Sequence, residues 1–147
     1  MKTLGKQVLI LGGFYFIISN LLFMCNGYFF EVLNLICSGI FIALLLVLCF
    51  KKEYIFLTNF NNRFIKSTNY LQALGCAQYF SIIFITIPGM IYGYKTALAQ
   101  YNGDKLPEVP VKYLEVISYA YWVILFCSLT FATYKNLKKI NTKVKNI

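Results

Sequence analysis

Four stretches of this chain carry no charged side chain: Gln7 to Phe30, Val32 to Phe50, Ser67 to Tyr94 and Val116 to Tyr134. A helix crosses a hydrocarbon core of roughly 30 Å with about 20 residues, so each stretch is long enough to span a bilayer. The apolar residues run without alternation, as in Phe41-Ile42-Ala43-Leu44-Leu45-Leu46-Val47-Leu48, which favours helices over barrel strands. The pattern predicts an all-α integral membrane protein: a single domain over 1–147, folded as a bundle of four transmembrane helices near 8–27, 32–50, 71–94 and 115–134. An inner loop 51–70, an outer loop 95–114 and a basic tail 135–147 complete it. Composition agrees, with 59% apolar and 13% charged residues, where a soluble domain carries about 25% charged.

The charges then orient the spans. Lys2 and Lys6 precede the first span, Lys51, Lys52, Arg63 and Lys66 lie in the second loop, and Lys135, Lys138, Lys139, Lys143 and Lys145 crowd the tail. Only Lys95, Lys105 and Lys112 fall in the third loop, so with both termini on one side the count is eleven against three. The positive-inside rule predicts both termini on the cytoplasmic side of a bacterial inner membrane, or the matrix side of an organellar one. The net charge of +9 is thereby read as a topology signal rather than a nucleic-acid footprint. A cleaved signal peptide is the alternative for the first segment, but the small residues of a cleavage site are missing, and Phe23 and Met24 are too bulky for a lipoprotein box before Cys25.

Chemistry is sparse. Histidine is absent, which removes the usual ligand and general base of haem, zinc and acid–base sites. Cys25, Cys37, Cys49, Cys76 and Cys127 form no C-x-x-C pair; they read as small hydrophobes, with Cys25 the one expected to be exposed. No nucleophile elbow, phosphate loop or metal-ligand cluster occurs, so no enzyme, cofactor, metal or nucleic-acid role is expected. No span holds an Asp, Glu, Lys or Arg at its centre, the group that ion-coupled transport usually keeps.

What the spans do carry is packing signals. Gly89 and Gly93 form a GxxxG pair prolonged by Ala97, and Gly39 with Ala43 forms a second small-residue pair; small residues let helix backbones approach closely in lipid. Asn20 and Gln78 are the strongest candidates for hydrogen bonds between helices. Pro88 has no N–H for the Phe84 carbonyl and predicts a kink near Thr86. Trp122, Tyr28, Tyr92, Tyr94, Tyr113 and Tyr134 fit interfacial belts.

The loops add lipid-facing features. Phe56, Leu57, Phe60 and Phe64 suit either a short helix lying on the inner leaflet or a loop anchored by aromatics; spacing leaves both open. In the tail, Leu137, Ile140, Val144 and Ile147 recur at helical spacing among Lys135, Lys138, Lys139, Lys143 and Lys145. Such a segment extends the fourth helix and contacts anionic lipid at about 1 kcal/mol per lysine, or docks on an acidic partner. In the outer loop Thr96 to Gln100 is helix-compatible, Asn102-Gly103-Asp104 signals a turn, and Pro107 and Pro110 keep the return extended. Its Asp104, Glu108 and Glu115 either converge with Glu31 on a cation or basic partner, or, interleaved with Lys105 and Lys112, form an ordinary solvated loop.

Lys6 ahead of an aromatic first span, Gly27-Tyr28-Phe29 past it, Phe60, Arg63, Phe64, Ile65 and Lys66 in the inner loop, and Ile87-Pro88 together resemble membrane immunity proteins against channel-forming colicins. The resemblance covers about the first 95 residues; those proteins have three spans, so the fourth helix and the lysine tail depart from the pattern. It implies interception of a toxin's channel-forming helices within the bilayer. The broader expectation is a non-catalytic membrane protein acting through helix–helix contacts, as an accessory subunit of a membrane complex or an immunity-like protector. A small oligomeric transporter or channel, its pore lined by Asn20, Gln78, Ser81 and Thr86, is the alternative.

Overall fold

The computed structural model describes residues 2–25, 27–51 and 54–144, and every regular element among them is a helix. Helix α1 covers Lys2–Met24, α2 Tyr28–Lys51, α3 Ile55–Arg63, α4 Ile65–Ser81, α5 Ile87–Asn102 and α6 Val111–Val144. A π-helical turn, Ile82–Thr86, joins α4 to α5 without a break. Four helices are long and apolar enough to cross a membrane: Leu4–Met24, Tyr28–Phe50, Ile65–Asn102 and Val111–Lys138. The third is longer than its uncharged stretch predicts. Its 38 residues reach ~57 Å at 1.5 Å per residue, because Lys66, Ser67, Thr68 and Asn69 at one end and Thr96 to Asn102 at the other end apolar character without ending the helix.

Glycine sets two of the boundaries. Gly27 (φ 139°) reverses the chain before α2, its carbonyl accepting from the N–H groups of Phe30 and Glu31 at 3.0 and 3.3 Å. Gly103 (φ 73°) caps α5 in the left-handed region, with the Asp104 N–H donating to the Ala99 carbonyl at 2.9 Å, a conformation that favours a residue without a Cβ. The turn expected at Asn102-Gly103-Asp104 is therefore a helix cap.

The helices lie side by side in the order α2, α1, α4, α6, and among the described residues α2 and α6 pack on one neighbour each. The bundle is therefore open; beyond α1, the Phe41 ring of α2 reaches across to Tyr79 at 6.2 Å and the Leu44 carbonyl accepts from Tyr54 Oη at 3.0 Å. On α1, Gly13 lies against Leu71 and Leu9 lies against Gly75, so numbering falls on α4 as it rises on α1 and the pair is antiparallel. Strict alternation of four spans makes the first and third parallel; α3 supplies the additional reversal. It climbs α1 from Gln7, where Tyr54 and Thr58 dock, to Phe14, whose ring meets Phe60 at 5.4 Å. The chain turns again at Phe64 (φ −120°, ψ 52°).

The inner loop is thus a helix, but its apolar residues divide between two environments. Leu57 is buried with Ile10 and Leu71, and Phe60, Phe14 and Tyr54 pack around them. Ile55 and Phe56 stay exposed. Of the two readings open for Phe56, Leu57, Phe60 and Phe64, a helix forms, but it does not simply lie on lipid: Leu57 and Phe60 cover α1.

Candidate helix-packing and partner surfaces

The tightest seam in the molecule is between α1 and α4, and it is built on glycine. A Cβ at Gly13 would overlap the Leu71 carbonyl, one at Gly75 would overlap the Leu9 carbonyl, and one at Gly12 would stand 2.6 Å from the Tyr79 ring. Glycine costs about 1 kcal/mol in a helix interior, and backbone contact of this closeness is what offsets it in lipid, where association rests on packing rather than on a hydrophobic force. Beside the seam Tyr79 Oη donates to the Val8 carbonyl at 2.9 Å. Sequence reasoning sought small-residue pairs within one helix and so passed over Gly12, Gly13 and Gly75; the adjacent Gly12-Gly13 in mid-span was the signal available.

Gln7 holds the start of α3. Its Oε1 accepts from the Tyr54 N–H at 2.8 Å and its Nε2 donates to Thr58 Oγ1 at 2.7 Å, with the side chain buried at 3% exposure. The α4–α6 pair is fastened by a polar ladder. Asn69 Nδ2 donates to Asn136 Oδ1 at 2.6 Å, Asn136 Nδ2 to the Lys66 carbonyl at 3.2 Å, and Ser128 Oγ to the Ala73 carbonyl at 3.2 Å. Asn69 and Asn136 fall just beyond the expected span limits of 71 and 134, which is why they were missed.

The residues singled out from sequence lie elsewhere. Asn20 is exposed and donates to its own helix at the Phe16 carbonyl, 2.7 Å away, so it links no helices within the chain. Gln78 is half-buried, and its side chain has no hydrogen bond among the described residues. Gly39 and Ala43 are exposed, and nothing lies within 4 Å of a Cβ built on Gly39, Gly89 or Gly93; among the described residues these glycines are not internal seams, Gly39 because α1 packs on another face of α2, and Gly89 and Gly93 because no helix packs on α5. Cys49, Cys76 and Cys127 are as exposed as Cys25, correcting the expectation that Cys25 alone would be, since only one or two faces of each helix are covered. The acidic residues do not converge: α2, which carries Glu31, packs only on α1, and no metal-holding group of His, Cys, Asp or Glu occurs among the described residues.

Pro88 acts one turn below itself. The irregularity is the π turn Ile82–Thr86, in which the Ile87 N–H reaches the Ile82 carbonyl, and Tyr113 Oη on α6 donates to the Phe84 carbonyl at 2.8 Å, the acceptor that Pro88 cannot serve. Beyond it α5 stands apart. Among the described residues no Cα of α5 comes within 8 Å of another helix, and Tyr92 Oη is bonded to its own loop at the Pro107 carbonyl, 2.9 Å. Gly89 and Gly93 are exposed on this uncovered segment.

In the tail, α6 continues to Val144, as the helical spacing of Leu137, Ile140 and Val144 predicts. Lys135 is half-buried and Lys138 exposed; Lys139 and Lys143 belong to the helix. Lys145, Ile147 and, in the inner loop, Lys52 and Glu53 lie outside the described residues. A larger hollow of about 550 Å³ opens between α1, α2 and α3, walled by Leu11, Phe14, Ile18, Phe41 and Leu44 among others. Its wall residues Tyr15 and Tyr54 have their hydroxyls engaged, by Ser38 Oγ at 2.6 Å and the Leu44 carbonyl at 3.0 Å, so it offers hydrocarbon alone. No protein-family model matches the chain, and no characterised protein or solved structure is similar to it.

Proposed function

We propose that this is a non-catalytic multi-pass membrane protein that works through helix–helix contacts, either as an accessory subunit of a larger membrane complex or as a protector meeting a membrane-inserting protein in the bilayer, the role implied by its resemblance to colicin immunity proteins. One observation carries the reading: the apolar first half of α5 leaves the Gly89-x-x-x-Gly93 pair uncovered, a surface on which another helix can approach closely. The test is a photo-crosslinking side chain at Met90, which is 70% exposed, in the source membrane. Adducts to a distinct polypeptide support the reading. Adducts to lipid alone overturn it.

A second reading, a small oligomeric transporter or channel, is favoured by the half-buried amide of Gln78, which has no hydrogen-bond partner among the described residues. Gln78→Leu abolishes transport if that amide lines a pore, and lowers only stability if it does not.

The membrane placement follows from charge in one form and from packing in another. The eleven-to-three distribution of Lys and Arg favours both termini inside, in a bacterial or organellar inner membrane, with the lysine tail on anionic lipid. The antiparallel α1–α4 pairing favours α1 and α6 running the same way, with the termini on opposite sides and α3 re-entering from the end of α2. Thiol labelling of Lys6→Cys and Asn141→Cys in a cysteine-free chain separates them: reaction from one side supports the charge-based placement, reaction from opposite sides the packing-based one.

A further inference from the structure

Between α4 and α6 lies a cleft of about 160 Å³ with both polar and apolar walls. Asn69, Gln72 and Lys135 line one part of it, and Leu9, Cys76 and Phe131 line the other. Lys135 is half-buried there, yet α1 and α4 contain no acidic residue and α6 contains only Glu115, at its opposite end. The cation therefore has no carboxylate on any helix that forms the cleft. Taking a charge partly out of water without a partner is costly, and among the described residues no carboxylate balances it, so an anion from outside the chain fits the site. The amide of Gln72 has no side-chain hydrogen bond among the described residues, whereas those of Asn69 and Asn136 are committed to the ladder. Asn136, next to Lys135 in the chain, holds the Lys66 carbonyl at 3.2 Å, which ties this end of α6 to the start of α4.

We propose that this cleft seats the headgroup of one anionic phospholipid, its phosphate on Lys135 with the Gln72 amide donating, and its acyl chain lying along Leu9, Cys76 and Phe131. An anion satisfies the polar part alone, and a neutral lipid the apolar part alone; an anionic amphiphile satisfies both. The inference rests on the membrane placement proposed above, and adds a single stoichiometric site to the diffuse attraction expected of a lysine-rich tail.

The full chain in mild detergent, offered equal amounts of phosphatidylglycerol and phosphatidylcholine, is weighed by native mass spectrometry. One retained phosphatidylglycerol is expected. Lys135→Gln weakens it about fivefold, the worth of one lysine at an anionic surface. Gln72→Leu weakens it several-fold although it changes no charge, Lys135→Arg restores it, and Lys95→Gln on α5 leaves it unchanged. Equal retention of the two lipids overturns the headgroup site, as does an unaffected Gln72→Leu with equal losses in the two lysine variants, which is the signature of diffuse attraction. Displacement by excess inorganic phosphate overturns the lipid assignment in favour of a free-anion site. A chain that retains neither lipid overturns the site and leaves the four spans untouched. Unchanged helicity of Lys135→Gln and Gln72→Leu by circular dichroism excludes misfolding as the cause of a loss.

Discussion

Gly75→Ala is expected to destabilise the protein although alanine is the better helix former. The gain in propensity is about 1 kcal/mol. Against it, the new Cβ would overlap the Leu9 carbonyl oxygen and stand 2.8 Å from the Leu9 carbonyl carbon and 3.1 Å from the Gly13 nitrogen. These neighbours are backbone in a packed helix and have no rotamer to yield, so the helices themselves must part. A separation of about 1 Å forfeits roughly a quarter to a half of the dispersion attraction along the seam, and overpacking of this kind costs about 1–3 kcal/mol. The net loss is up to ~2 kcal/mol against the native chain and ~1–3 kcal/mol against a glycine-to-alanine change that gains propensity alone, and Gly13→Ala, whose Cβ would lie 2.7 Å from the Leu71 carbonyl carbon, should match it. The two losses should not add, because helices already parted for one methyl accommodate the second. Reversible unfolding in mixed micelles with increasing dodecyl sulfate measures all three variants, with Gly39→Ala as the control because nothing lies within 4 Å of its Cβ. If Gly75→Ala and Gly13→Ala prove as stable as the control, the α1–α4 seam is not as close as argued.

Three further outcomes follow from the same contacts. Gln7→Leu leaves the part-buried Tyr54 N–H without its 2.8 Å acceptor and should cost about 1 kcal/mol, read as faster proteolysis between α2 and α4. Asn69→Leu strands Asn136 and should cost more than the double replacement Asn69→Leu with Asn136→Leu, since the pair bonded at 2.6 Å is worth only about 0.6 kcal/mol net on average; a denaturation cycle over the four proteins gives the coupling. Pro88→Ala returns an N–H to the Phe84 carbonyl now bonded to Tyr113 at 2.8 Å, so Tyr113→Phe should lower the melting temperature in the native background and leave it unmoved in the Pro88→Ala one.

Four apolar spans were legible because charge is absent from them, while the helices α1, α2 and α6 run over Lys2–Met24, Tyr28–Lys51 and Val111–Val144 where 8–27, 32–50 and 115–134 are expected. The third escaped its expected limits because hydropathy falls at Ser67 and Tyr94 while helix-forming residues continue on both sides. What no local pattern contained was the pairing. Gly13 and Gly75 become a motif only when α1 is known to lie on α4, and Asn69 becomes a link only when Asn136 is known to face it. Asn20 illustrates the converse: an amide in mid-span invites a partner helix, but a carbonyl four residues back satisfies it at 2.7 Å. The course of α3 along α1 was hidden for a related reason, since Leu57 and Phe60 are apolar whether they meet lipid or protein.

The π turn has a consequence for the direction in which the third helix can be approached. Leu71 and Gly89 are eighteen residues apart, as are Gly75 and Gly93, and in an unbroken α-helix eighteen residues make five whole turns. Without the interruption, the upper glycines would stack directly over the pair that meets α1. The wider turn at Ile82–Thr86 takes up one extra residue, which rotates everything beyond it by about 100°. A single helix thereby carries two glycine seams set at different compass bearings, the lower one spoken for by its own chain and the upper one turned toward whatever comes alongside. Deleting one residue from Ile82–Thr86 would bring the two seams into line and swing the upper one away from its present approach.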